Sequence, residues 1–387
     1  MSPVTPAPVF DVDALLSSPD TRIIVCCGSG GVGKTTTAAA MALRAAEMGR
    51  RVVVLTIDPA RRLAQSMGLN HLDNTPRAVP DINGDGSLDA MMLDMKRTFD
   101  ELVETHSDPE RAAQVLENPF YQALSSSFAG TQEYMAMEKL GQLQRESEAE
   151  DLWDLIVVDT PPSRSALDFL DAPQRLGSFL DGKFIRILTG PAKGAGRGLG
   201  RVVGAGLGLA AGAVKKVLGT ELLLDVSTFV QALDSIFGGF RQRADETYRI
   251  LQQPGTAFVV VAAPEPDAVR EATYFVDRLT EEGMPLAGLI LNRMTLPPGH
   301  GLSAEEALVA ADRLEDSGDH LETAAMLRLH ADSMRSSARQ NHVADRFTAA
   351  HPGVSQGVVP ALADDVHDMD GLREVGDLLA EDLPRAG

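Results

Sequence analysis

The 387-residue sequence holds only two cysteines, and they are adjacent, Cys26 and Cys27. Neighbouring cysteines rarely close a disulfide, and without a CxxC pair no structural zinc or iron–sulfur centre can be assembled from thiolates. Basic charge is scarce as well. Thirty-five Lys and Arg face 55 Asp and Glu, a formal net charge of −20, which argues against nucleic acid as the main partner. No apolar run reaches the roughly 18–20 residues that a bilayer crossing requires. The opening stretch, MSPVTPAPVFDVDALLSSPD, lacks the basic start and apolar core of a secretory leader. The expectation is a cytosolic protein. Peripheral membrane contact stays open for one basic segment, residues 182–220.

What is present is a rhythm of short apolar runs and helical stretches. TRIIVCC (to Cys27), RRVVVLTIDPA (to Ala60), LWDLIVVDT (to Thr160), GTAFVVVAAP (to Pro264), LAGLILNRM (to Met294) and GVVPAL (to Leu362) read as strands. Runs apolar on both faces, alternating with helices, predict a mostly parallel sheet covered on both sides. The predicted class is therefore α/β. One large domain is expected over residues 21–380, with tails at 1–20 and 381–387. Helical spacing without strand signals over about 96–148 and 166–251 predicts two insertions that form a subdomain. Residues 304–347 read as two surface helices.

Residues 182–220 carry seven basic side chains and no acidic one. Between Arg201 and Lys215 lies VVGAGLGLAAGAV, apolar and glycine-rich. Three readings stay open: contact with an anionic membrane, cover for an apolar ligand, or a loop whose glycines weaken helix formation by about 1 kcal/mol each relative to alanine.

The most informative stretch is CCGSGGVGKTTT. Within it, Gly28, Ser29, Gly30, Gly31, Val32, Gly33, Lys34 and Thr35 satisfy G-x-x-x-x-G-K-[ST], after a strand and before a helix. Glycines let the backbone turn tightly enough for several N–H groups to converge on phosphates, and the helix N-terminus adds its positive end. Lys34 is placed for the β and γ phosphates, the Thr35 hydroxyl for Mg²⁺ and Thr36 for the α-phosphate. Asp159 ends the strand LIVVD, where its carboxylate can meet Mg²⁺ through water. Asp58 ends VVVLTID, where an acid can orient or deprotonate the attacking water. The ligands expected are thus ATP and Mg²⁺. Asn292 ends LILNRM, where a side-chain amide can read the adenine edge. Either aspartate could instead simply cap the turn that follows it.

Taken in order, CGSGGVGKTT, TIDPARRLAQSMG, VVDTPPSRSALDFL, LILNRM and VVPALADDVHD resemble the P-loop ATPases that drive arsenite pumps, together with their relatives that target tail-anchored membrane proteins. The likeness runs over roughly residues 21 to 380. It implies a P-loop NTPase fold and an ATP-driven dimer with two nucleotide-sensing segments, Asp58–Ser66 and Asp159–Ala166. It further implies that Asp58 positions the hydrolytic water, and that Asn292 with Val359, Pro360 and Ala361 forms the adenine pocket. Glu133, within AGTQEYMAMEKL, falls at the position of an acid on the helix near those segments. A hydrophobic protein or membrane-associated client is implied too, and Met91, Met92, Met95, Met135 and Met137 suit either an adaptable client surface or an ordinary core.

Three departures bear on function. The zinc-binding CxxC of the eukaryotic targeting members is missing, so no zinc is expected. No cysteine cluster could take a trivalent metalloid, and there is one ATPase half, which disfavours arsenite transport. Ser29 stands where the family loop carries a lysine that reaches the partner's phosphates across the dimer. An analogous arginine supplied in trans is worth roughly 10³–10⁵ in rate, about 4–7 kcal/mol. A homodimer would therefore hydrolyse slowly unless Arg61 or Arg62 substitutes. A heterodimer with a lysine-bearing relative would have one fast site, in this chain. The alternatives are a partitioning ATPase and a weakly hydrolysing regulatory subunit.

Overall fold

A computed structural model of the protein describes residues 6–57, 62–118, 121–122, 131–161, 242–297, 301–318 and 320–383. The chain divides into two compact units. One comprises Met1–Met92, Gln144–Leu167 and Ile250–Gly387, the other Leu93–Leu143 and Asp168–Arg249.

The larger unit is built on an eight-stranded sheet. Its strands are β1 (Ile23–Cys27), β2 (Arg51–Thr56), β3 (Arg77–Ala78), β4 (Ser87–Met92), β5 (Leu155–Asp159), β6 (Thr256–Ala262), β7 (Leu286–Met294) and β8 (Gln356–Pro360). They lie in the order β3-β4-β2-β5-β1-β6-β7-β8. Every pairing is parallel except β3 with β4. The central strands β1, β5 and β6 are buried along their whole length, as both-face cover demands. All six expected strands form. The two others had no apolar run to announce them. SLDAMM of β4 is broken by Asp89, and that carboxylate accepts the Trp153 indole N–H at 2.7 Å, which makes its burial tolerable.

Helix α1 (Val12–Ser17) precedes β1, and α2 (Lys34–Glu47) follows the glycine loop. In α2, Ala38, Ala39, Ala40, Ala42, Ala45 and Ala46 are completely buried. Alanine is the strongest helix former and adds no bulk, so α2 can lie between the sheet and the last helix. Helix α3 (Arg62–Ser66) is short. Residues 9–17, within the expected 1–20 tail, pack onto the fold. Val9 bridges Gln356 as an extra edge pairing, Asp11 caps α1, and Val12 and Leu16 are buried. Arg44 of α2 holds Asp13 at 2.8 Å, and that ion pair keeps the Asp13 carboxyl below its usual range.

In the second unit, α4 (Met95–His106) and α5 (Pro109–Leu116) start on aspartate caps, Asp94 and Asp108. Most of α6 (Thr131–Glu150) also belongs here. Arg243 donates to Glu138 at 2.7 Å, and Tyr121 is wholly buried against Phe99. Met135 and Met137 are core residues in this unit, as Met91 is in the sheet. Those three cannot supply a client surface; Met92 and Met95 are half-buried. Glycine-rich residues 182–220 and nearly all of the expected insertion 166–251 lie outside the described residues.

After β6 come α7 (Pro266–Glu281) and, between β7 and β8, α8 (Ala304–Ser317) and α9 (Leu321–Ala350); α10 (Met369–Ala380) closes the unit. The pair α8 and α9 matches the two helices expected over 304–347. No helix among the described residues is long and apolar enough to cross a membrane.

Candidate nucleotide site

The register of three parallel strands assembles the site. Cys26 of β1 and Thr56 of β2 both stand opposite Asp159 of β5. The carboxyl ends of these strands are therefore level, and in an open α/β sheet that edge is where ligands sit. Two further bonds fix the edge: Thr160 Oγ1 donates to Cys26 O at 2.7 Å, and Ile57 N donates to Asp159 O at 3.0 Å.

The loop leaves β1 at Gly28, whose φ is +151°. A Cβ there would lie 2.1 Å from the Val261 carbonyl oxygen of β6, so only glycine lets the loop start so close to the neighbouring strand. The loop ends at Gly33, φ +92°, where a Cβ would lie 2.2 Å from Asn292 Nδ2. Between these points, Ser29 is half-buried, Gly30 and Gly31 are exposed and Val32 is buried. Lys34 is buried, and its Nζ donates to Ser29 O at 2.8 Å. The lysine thus spans the loop and holds it open as an arch.

Thr35 and Thr36, both half-buried, follow Lys34 in the first turn of α2. Thr35 Oγ1 donates to Asp159 Oδ2 at 2.7 Å. Thr56 Oγ1 donates to the same oxygen at 2.8 Å. Asp159 is fully buried. These are hard oxygen donors, the type that Mg²⁺ selects, and Mg²⁺ usually takes one or two carboxylates and completes its shell with phosphate and water. Among the described residues no group of three or more His, Cys, Asp and Glu gathers. Thr56 was not expected from the sequence. Its signal was a hydroxyl at a strand end, one residue before Ile57 and two before Asp58.

On the other side of the loop, Asn292 Nδ2 donates to Val32 O at 2.8 Å, and its Oδ1 accepts from Arg293 N at 3.0 Å. The amide is thereby a brace for the loop, a role that the sequence did not announce. Val359 is buried, Pro360 ends β8, and Ala361 N donates to Met294 O at 2.9 Å. The Val359–Ala361 segment at the end of β8 therefore lies beside the end of β7. Asp58, Arg61 and the side chains of Arg62 and Glu133 lie outside the described residues, as do residues 162–166.

Below the loop, burial pushes the Cys26 thiol far above its usual range, and the nearby Asp159 carboxylate adds to the effect. Cys27 is pushed up to about 12, again by burial. Thiols that stay protonated are poor nucleophiles and poor metal ligands, so this pair forms the floor of the site.

A sequence model of the anion-transporting ATPase family matches residues 21–303. The chain belongs to that family. The match covers the loop, Thr56, Asp159 and Asn292, and the protein is an ATPase. Among curated relatives, ATPase GET3 of Malassezia globosa is 26% identical over 284 residues, 73% of this chain and 76% of the relative. ATPase get3 of Aspergillus terreus is 26% identical over 291 residues, 74% of this chain and 77% of that one. A putative arsenical pump-driving ATPase of Halobacterium salinarum is 28% identical over 203 residues, 48% of this chain but 29% of the relative. The family resemblance read from the motifs is thereby established.

Proposed function

We propose that this anion-transporting-ATPase family member binds Mg·ATP at the Gly28–Thr36 loop, hydrolyses it as one half of a dimer, and couples nucleotide state to holding a hydrophobic client. The observation that carries the reading is the single carboxylate oxygen of Asp159 shared by Thr35 at 2.7 Å and Thr56 at 2.8 Å, beside a lysine that spans the loop. That arrangement pairs a phosphate cradle with hard donors at one strand edge. Thr35 would ligate Mg²⁺ directly and Asp159 through water. The ion would neutralise charge developing on the phosphates.

The chain's own groups then divide the work. Backbone N–H groups from Gly30 to Thr35 bind the β-phosphate. Lys34, released from Ser29 O, reaches the β and γ phosphates. Thr36 binds the α-phosphate, and Asp58 orients the attacking water. Asn292 and Val359–Ala361 receive the adenine; the Asn292 amide keeps a second N–H for the base while bracing Val32. The dimer and the client follow from the family resemblance. Serine at 29 favours a partner that brings the missing lysine in trans.

The test is steady-state ATP turnover by the purified chain beside Ser29→Lys, with Lys34→Ala as the inactive control. A nearly silent wild type and a gain of orders of magnitude in Ser29→Lys support the reading and send the search to a lysine-bearing partner. Brisk turnover by the wild type alone removes the reason for a heterodimer. No turnover or nucleotide binding in any variant overturns the proposal.

A further inference from the structure

Arg293 is the one non-glycine residue with positive φ on the described strands, at φ +62°. The pairing of β7 with β8 shifts register between Asn292 and Met294. A bulge with a left-handed residue is a device that re-aims a side chain, and strain of this kind collects where ligands bind. Here it aims the arginine at the loop: Nη1 donates to Gly31 O at 3.0 Å. The side chain is exposed, and no carboxylate among the described residues forms a salt bridge with it.

Which part of a nucleotide lies there follows from two facts. A phosphate cradle turns its N–H groups inward, so loop carbonyls face outward; a group bonded to Gly31 O stands outside the cradle. The strand order then gives the direction. Asp159 and Thr56, the carboxylate and hydroxyl end, belong to β5 and β2 on one side of β1, whereas Arg293 belongs to β7 on the other. A triphosphate whose far end lies towards β5 has its nucleoside over β6 to β8.

We infer that Arg293 is a base-binding residue: its planar guanidinium, tied to Gly31 O, forms one wall of the nucleoside site, with the Val359–Ala361 end of β8 beside it. This rests on the proposed ATP site. A guanidinium stacks on an aromatic ring through its flat face, and a lysine has no such face. The phosphates do not depend on it.

The experiment measures displacement of a fluorescent ADP from the full chain by ADP and, separately, by inorganic tripolyphosphate, in wild type, Arg293→Ala and Arg293→Lys, with melting midpoints to check folding. The expected result is ADP weakened roughly ten- to a hundredfold in Arg293→Ala, the range for losing one stacked base, with tripolyphosphate within about twofold of wild type. Arg293→Lys restores the tie to Gly31 O but not the flat face, so ADP stays weakened. Equal weakening of both competitors, or full rescue by lysine, overturns the inference, since Arg293 would then act only through loop shape or charge. Unchanged ADP affinity in Arg293→Ala overturns it as well. If wild-type chain binds no ADP and Lys34→Ala makes no difference, the ATP site itself is wrong and both proposals fall together.

Discussion

The two flanks of the glycine loop are built by opposite means. On the β5 side, Asp159, Thr56 and Thr35 are fixed by strand register and meet at one buried oxygen. On the β7 side, Asn292 is the last residue before a register shift, and Arg293 sits in the shift itself, left-handed and exposed to solvent. The first flank is positioned by the sheet itself, and its polar groups satisfy one another at short range. The second is positioned by a local departure from the sheet and is anchored on loop carbonyls. A site that must hold charge without moving is well served by the first design. A site that must admit and release a flat base is well served by the second.

The largest expected effects come from removing charge, first from the loop between the flanks and then from the β5 flank. In a Ser29→Lys background, Lys34→Ala should lower ATP turnover at least about a thousandfold, because a cation on the transferring phosphoryl group acts mainly in the transition state. Phosphate release in steady state measures this. Asp159→Asn keeps the shape and removes the carboxylate. Turnover should fall about a hundredfold or more, and raising Mg²⁺ should not restore it. Recovery at high Mg²⁺ would mean the carboxylate only tunes ion affinity.

A smaller effect sharpens the other flank. Gly33→Ala should destabilise the fold by about 1–3 kcal/mol, through its positive φ and the 2.2 Å approach to Asn292. Combining it with Asn292→Ala should recover part of that loss, since the clash goes and the strained φ stays. Urea unfolding of the two single variants and the double closes the cycle. Full additivity would mean that the brace does not press on Gly33.

The last effect concerns the floor beneath both flanks and is silent at neutral pH. The buried thiols have folded pKa values raised above the ordinary 9.0, Cys27 to about 12. Below pH 9 they are protonated folded or unfolded and contribute no pH dependence. Above it the unfolded chain loses protons that the folded chain keeps, so stability falls as pH rises from about 9 towards 12, by at most about 1.4 kcal/mol per unit for each thiol. Cys27→Ala should make that decline shallower in denaturant melts. An unchanged slope would place the alkaline sensitivity elsewhere.

Six strands, α2 and the α8–α9 pair were legible because each carries a continuous local signal. The β-branched run VVVLT and the alanines of α2 say the same thing to any neighbour they meet. β4 was not legible, because Asp89 interrupts its apolar run; its pairing with β2 and the Trp153 bond to that carboxylate come from distant residues. The segment before β1 read as a tail because six residues of helix give little period; Arg44 and the β8 edge hold it in place. The methionines read as a surface or a core with equal ease, and burial of Met91, Met135 and Met137 was a matter of neighbours.

In the candidate site, the loop, its lysine and its hydroxyls could be read from the chain alone, because a glycine loop of this kind is defined by backbone shape and by residues a few positions apart. The sequence also determined the family, through motifs whose order is a property of the chain. It took the folded chain to show that Thr56 and Thr35 share one oxygen of Asp159, that Asn292 braces Val32, and that Arg293 turns to Gly31. Those paired residues are 103 to 262 positions apart. No local preference carries such a distance; parallel register and one bulge do.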